Sequence, residues 1–261
     1  MLPKISVITV VYNNVSEIEE TILSVINQDY INKEYIIIDG GSTDGTVEII
    51  KKYESYINYW VSEPDNGIYF AMNKGIEIAT GEWINFMNSG DYFVCKETLS
   101  NVFAKFSFTK YGVIYGNTVI KRNGLLLKIK ADSIDKISIK MPLSHQSLFV
   151  KRFLIKSNKF NTFYKYAADY EMIFKLYKKG VNFNQISEYI AIYNQESGTT
   201  VTNFRRSIKE RYTIQNNLAF KGRVSMFREM AIMSISYFFN KIVPLSIRKK
   251  RSLIKFKKII Y

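Results

Sequence analysis

Short clusters of polar residues and glycine follow the most apolar runs of the chain. Tyr12-Asn13-Asn14 follows Ile5 to Val11, Asp39-Gly40-Gly41 follows Tyr35 to Ile38, and Asn88-Ser89-Gly90-Asp91 follows Trp83 to Met87. A carboxylate closing an apolar run can accept from a ribose hydroxyl or a base N–H. Glycines beside it let such a ligand lie close to the backbone. In "IIIDGGSTDGT", residues 36–46, that combination points to a nucleoside. Turn chemistry explains the same letters, because Asp39 and Asp44 suit Asx-turns and a helix cap.

The elements that would position these clusters alternate in type. Ile5 to Val11, Tyr35 to Asp39, Tyr56 to Ser62 and Trp83 to Met87 read as strands. Between them lie helices. Ser16 with Glu19 forms a capping box for one running to about Gln28. Thr43 or Asp44 caps a second, Thr46 to about Tyr53. Asn66 to Ala79 carries helical spacing through Ile68, Met72 and Ile76. Short alternating units predict a parallel α/β sheet, whose ligands bind at the carboxyl ends of strands. Beyond residue 110, Val113 to Lys121 and Leu125 to Lys130 flank "RNG", a hairpin signal. Ser147 to Val150 is a short strand. Asp169 opens a helix to about Lys179, closed by Gly180. Phe183 to Tyr193 is extended, and helix formers dominate from Phe204.

The turn after the first strand, "VYNNVSE", holds no glycine, and no Walker A lysine motif occurs. Both facts argue against dinucleotide-binding and P-loop readings. The 261 residues hold one cysteine, Cys95, and one histidine, His145. An intrachain disulfide and a multi-histidine metal site are therefore excluded, and a reducing compartment fits. No signal peptide and no apolar run of membrane-spanning length is visible.

Four stretches in order resemble the family 2 glycosyltransferases of GT-A fold, particularly bacterial polysaccharide enzymes: "ISVITVVYNN", "SVINQDY", "IIIDGGSTDGTVEIIKKY" and "SEPDNGIYFAMNKGIEIATGEWINFMNSGD". A weaker match continues through "HQSLFV" and "ADYEMIFKL". The resemblance implies a GT-A domain over residues 1–203, with a mostly parallel central sheet flanked by helices. It also implies inverting transfer from a nucleotide-sugar, usually a UDP-sugar, with Mn2+ or Mg2+.

Site residues follow from the same resemblance. Asp91 in "NSGD" stands at the last carboxylate of the metal motif, with Ser89 in place of the earlier one. A divalent cation there would act as a Lewis acid on the diphosphate. Asp39 stands at the uracil or ribose position and Gly40 where many members have a second acid. Asp65 matches a nucleotide-side acid. Tyr12, Asn13, Gly41, Asn73 and Lys74 complete the donor side, and Phe70 replaces an acid of many relatives. Asp169 is the expected general base, with Glu171 second, although acids also suit a helix N-terminus. His145 would bind the diphosphate or the metal, or serve as a hydrogen-bonded structural residue.

The charge is uneven. Residues 204–261 hold 15 Lys or Arg and 2 Asp or Glu, out of 37 and 23 in the whole chain. Val224 to Leu245 is apolar but interrupted by Arg228, Glu229, Lys241 and Pro244. This reads as a basic amphipathic helical tail on an anionic membrane surface rather than a span. It places the chain in the cytoplasm, peripheral on the inner face of the cell membrane, facing a glycan or polyprenyl-linked acceptor. No base-stacking or helix-turn-helix pattern supports a nucleic-acid partner. Two other readings stand beside the transferase. A non-catalytic sugar-nucleotide binding module fits the departures at Ser89 and Phe70. A nucleotidylyltransferase would need a glycine-rich basic loop where Tyr12-Asn13-Asn14 stands.

Overall fold

The computed structural model of the protein describes residues 2–103, 110–195 and 203–219. Its centre is β1, Ile5–Val11, every residue of which is buried. A strand covered on both faces must read as an unbroken apolar run, and ISVITVV nearly does. β1 lies between two parallel neighbours, β2 (Lys33–Asp39) and β4 (Trp83–Phe86), and β3 (Tyr59–Ser62) extends the sheet beyond β2. Successive β1 side chains alternate between two cores. Ile8 and Val10 join the layer containing α3 (Ile68–Ile78), while Ile5, Val7 and Val11 join that of α1 (Ile18–Ile26).

The sheet is mixed rather than mostly parallel. Past β4 the neighbours are β8 (Leu148–Lys151), antiparallel to it, and then β6 (Val113–Arg122), antiparallel to β8. β9 (Phe183–Asn194) runs parallel to β6, with a register irregularity around Asn117, and pairs antiparallel with the short β5 (Tyr92–Phe93). β7 (Leu125–Ile129) forms the expected hairpin with β6. Strand direction depends on how each connection crosses the sheet, which hydropathy does not encode.

Local capping also departs from expectation. α1 begins at Ile18 with no side-chain cap, because the Asn14 carbonyl accepts the Glu17 and Ile18 N–H groups. Glu19, the expected partner of Ser16, instead accepts from Lys52 and Tyr53. Asp44 does hold the start of α2 (Thr46–Lys52), accepting from Thr46 N at 3.1 Å.

The remaining helices are α4 (Thr98–Phe103), α5 (Arg152–Lys156), α6 (Ala168–Lys178) and α7 (Phe204–Ala219). α7 is not separate from the rest. Its Ile208, Tyr212 and Ile214 are buried, and Ile214 belongs to the core that contains α6. The expected boundary at residue 203 therefore falls at the start of an integral helix. Val224 to Leu245 and the basic clusters after it lie outside the described residues. Among the described residues, no helix is long and apolar enough to cross a membrane.

Candidate active site

A cleft of about 250 Å³ opens where α3, α6 and the end of β4 converge. Tyr69, Asn88, His145, Lys165, Asp169 and Arg211 help to line it. Asp169 lies in the first turn of α6, but does not cap it, since the helix starts one residue earlier. Its carboxylate turns to the cleft instead. His145 Nδ1 lies 3.2 Å from Asp169 Oδ2, and the Tyr69 hydroxyl donates to Oδ1 at 3.2 Å. On the far side of the imidazole, Nε2 lies 3.1 Å from Asn88 Nδ2.

This chain fixes protonation states. Burial alone would raise the Asp169 carboxyl, but the hydrogen bond and charge of His145 outweigh it and hold it below its ordinary 3.8. Burial would lower His145, yet the hydrogen bond and charge of Asp169 raise it above 6.5. Burial first, then the Asp169 charge, keep Tyr69 well above its ordinary range, so it remains a donor. With neutral His145 carrying its proton on Nδ1, Nε2 accepts from the Asn88 amide. The Asn88 Oδ1 has no partner and is buried. Turned over, the same amide would offer that oxygen to a protonated imidazole.

Glu171 is not in this cluster. It lies two residues along α6, is buried, and pairs with Lys175 at 2.6 Å. Two residues turn about 200° around a helix, so Asp169 and Glu171 point apart.

Asp91 is turned inward. It is 6% exposed, accepts from Gln146 Nε2 at 2.8 Å on Oδ2, and accepts from Asn194 N at 3.0 Å on Oδ1. Burial raises its carboxyl to about 6 despite these donors. A hard cation needs open oxygen ligands. Both Asp91 oxygens are engaged, and the described residues contain no group of three His, Cys, Asp or Glu able to hold a metal. The donor set does not fit a cation on Asp91. Ser89 Oγ accepts from Asn14 Nδ2 at 3.0 Å.

The nucleoside-side residues separate into framework and surface. Asp39 is fully buried and saturated. Gly41 N, Ser42 N and Ser62 Oγ donate to Oδ2, and Ser42 Oγ to Oδ1. It shapes the loop instead of facing a ribose. Gly41 follows with φ of 84°, a left-handed geometry that suits glycine, and a Cβ there would meet Pro64 N at 3.1 Å. Asn13 ties the β1 and β2 loops together, donating its N–H to Ser42 Oγ and accepting from Thr43 N. Asn73 holds Phe160 through both its N–H and its carbonyl. Lys74 pairs with Glu63.

What stays at the surface is Tyr12, 65% exposed, beside Gly40 and Asp65. A Cβ on Gly40 would stand 2.8 Å from Asp65 Oδ2 and 3.4 Å from Tyr12 Cδ2. Asp65 therefore occupies the space an acid at position 40 would need. Asp65 Oδ1 also accepts from Gly67 N at 2.7 Å, which sets its direction. Sequence reasoning missed Tyr69 and the clamp of Gln146 on Asp91. Both lie inside the matched stretches, yet a match along the chain does not show which distant side chain each one meets.

The profile described as "Glycosyl transferase family 2" matches residues 6–182. An uncharacterized glycosyltransferase of Mycobacterium tuberculosis is 44% identical over 92 residues, which is 35% of this chain and 35% of that relative. A PGL/p-HBAD biosynthesis glycosyltransferase of Mycobacterium bovis is 24% identical over 232 residues, 87% of this chain and 90% of its own. Among solved structures, S. aureus TarS 1-349 in complex with UDP-GlcNAc has a TM-score of 0.65 at 22% identity, over 85% of this chain and 69% of that one. The mannosyltransferase PcManGT of Pyrobaculum calidifontis, in complex with GDP-Man and Mn2+, has a TM-score of 0.66 at 20% identity, over 85% of this chain and 66% of that one. Both share the GT-A fold built here around β1. With the family profile spanning most of the chain from β1 to the start of β9, this protein belongs to glycosyl transferase family 2.

Proposed function

We propose that this protein transfers a sugar, with inversion, from a nucleotide-sugar to an acceptor hydroxyl, and that Asp169 is the general base. The carrying observation is the ionised, cleft-facing Asp169 held by His145 and Tyr69. The acceptor oxygen attacks the anomeric carbon as the bond to the nucleoside diphosphate breaks. Asp169 receives the hydroxyl proton at that moment. Until then the hydrogen bond from His145 Nδ1 helps to keep the carboxylate ionised.

A UDP-sugar donor is supported by the UDP-GlcNAc carried by TarS, and GDP-mannose in PcManGT marks the competing base. Tyr12 offers a ring for the base and Asp65 an acceptor for its N–H. Divalent-metal dependence is supported by the Mn2+ in PcManGT. Asp91 does not fit as its ligand, so the reaction step above is assigned to protein groups only. A lipid-linked or surface-glycan acceptor at an anionic membrane is supported by the basic excess of residues 204–261.

Binding of UDP-sugars and GDP-sugars, each with and without Mn2+, followed by donor turnover in wild type and Asp169→Asn, tests this reading. Donor binding and turnover in wild type, with binding alone in Asp169→Asn, is expected. Binding without turnover in both proteins would favour the non-catalytic module.

A further inference from the structure

α7 reaches across the molecule to the segment that leads into α6. The Glu210 carboxylate accepts from three successive backbone N–H groups: Lys165 at 3.0 Å through Oε1, and Tyr166 at 2.8 Å and Ala167 at 3.1 Å through Oε2. Ala167 is the N-cap position of α6, and no side chain caps that helix locally. Consecutive N–H groups converging on one carboxylate form an anion-binding concavity, here filled from within the chain. Asp169 lies two residues beyond the last clamped N–H. Farther along α7, Gln215 Nε2 donates to the Tyr170 hydroxyl at 3.0 Å and to the Ile139 carbonyl at 3.2 Å. Arg206 Nη1 reaches the Tyr166 hydroxyl at 3.5 Å. α7 is thus fastened to both flanks of Asp169.

We infer that Glu210 is a positioning residue for the reaction, fixing the start of α6 so that the Asp169 carboxylate meets His145 and Tyr69. This rests on Asp169 being the base. Charge-assisted bonds are about twice as strong as neutral ones, and three of them converge on one turn. The contacts to be held are 3.2 Å long, so a slip of about 1 Å at the helix start breaks them, and misplacement of that size can cost roughly 10²-fold in rate. Ser207 and Arg211 of α7 also line the cleft, so the same helix shapes the site that it steadies.

His145 is the only histidine, so its imidazole signals give a site-specific titration by NMR in untagged, isotope-labelled protein. Four proteins are compared: wild type, Asp169→Asn, Glu210→Gln and Glu210→Ala. Asp169→Asn is expected to lower the His145 midpoint. Glu210→Ala should move it in the same direction, with UDP affinity unchanged and turnover down about 10²-fold. Glu210→Gln, whose single carbonyl can serve only part of the N–H set, should fall between. It also carries the test if Glu210→Ala does not fold. A folded Glu210 variant with a lowered melting temperature but the wild-type His145 midpoint would overturn the inference, leaving Glu210 as glue for α7. An unmoved midpoint in Asp169→Asn would instead overturn the Asp169–His145 pairing beneath it, a separate and distinguishable failure.

Discussion

Asp169 and Glu171 lie two residues apart, yet their surroundings divide their chemistry. Asp169→Asn keeps the side-chain size but loses the basic oxygen, and should lower transfer about 10²- to 10⁴-fold with donor binding retained. Glu171→Gln should leave transfer unchanged, because Glu171 pairs with Lys175 away from the cleft. Steady-state kinetics on both variants checks the assignment, and the reverse pattern would hand the base to Glu171. Asp91 gives a pH prediction. Its folded carboxyl is raised to about 6 against an ordinary 3.8, so within that window the folded state holds a proton that the unfolded chain has released. Stability therefore falls as pH rises from 3.8 to about 6, and that part of the slope vanishes in Asp91→Asn. The substitution also sets an amide against the Gln146 or Asn194 donor and should cost about 1–3 kcal/mol in chemical denaturation. Any Mn2+-dependent gain in UDP affinity should survive it. His145 and Asp169 contribute in opposite directions. The raised His145 contributes fully below 6.5 and loses this as pH climbs through its folded value. The depressed Asp169 contributes above 3.8 and loses this as pH falls through its folded value.

At the scale of elements, the loop after β2 and the loop before α3 share one space. Asp65 fills what Gly40 leaves open. Gly40→Ala should displace Asp65 and weaken UDP binding about tenfold, or roughly 1.4 kcal/mol. In an Asp65→Ala background the same change should do little, since contacting residues couple. Calorimetric titration of the four proteins of this cycle measures the coupling; additive losses would show that Gly40→Ala does not act through Asp65, and an unchanged affinity in Asp65→Ala would remove Asp65 from the base subsite. Asn73 predicts an effect of another kind. Its amide holds Phe160 at both N–H and carbonyl, so Asn73→Ala should destabilise the fold by about 1–3 kcal/mol without a specific loss of donor affinity.

At the scale of the whole molecule, the question is where the catalytic domain ends. Ile208, Tyr212 and Ile214 of α7 are buried, and each apolar side chain so placed stabilises by about 1.5–3 kcal/mol. Truncation after Asn203 should lower the melting temperature by on the order of 10 °C and abolish turnover. Truncation after Ala219 should preserve both stability and UDP binding. If residues 220–261 hold the protein on an anionic membrane, that shorter truncation alone should end salt-sensitive binding to anionic liposomes. Equal liposome binding by the full chain and the truncated form would remove the tail from the membrane proposal.

The chain by itself determined the parallel β1–β4 core, because β1, β2 and β4 are buried along nearly their whole length, must therefore be mostly apolar, and end in turn residues. It also determined the family, through motifs whose spacing survives in one dimension. It placed Asp169 at the start of a helix and Asp65 in the loop before α3. Tertiary structure alone decided which acids reach the cleft. Asp39 and Asp91 carry the motif positions, yet each is held by protein donors, the first by its own loop and by Ser62, the second by Gln146 and Asn194. Asp169, His145 and Tyr69 are up to 100 residues apart, and no local pattern relates them. Glu210 reads in sequence as one acid in a basic tail. Only folding brings it to the mouth of α6, because hydrogen bonding depends on distance in space, while composition and spacing record neighbours along the chain.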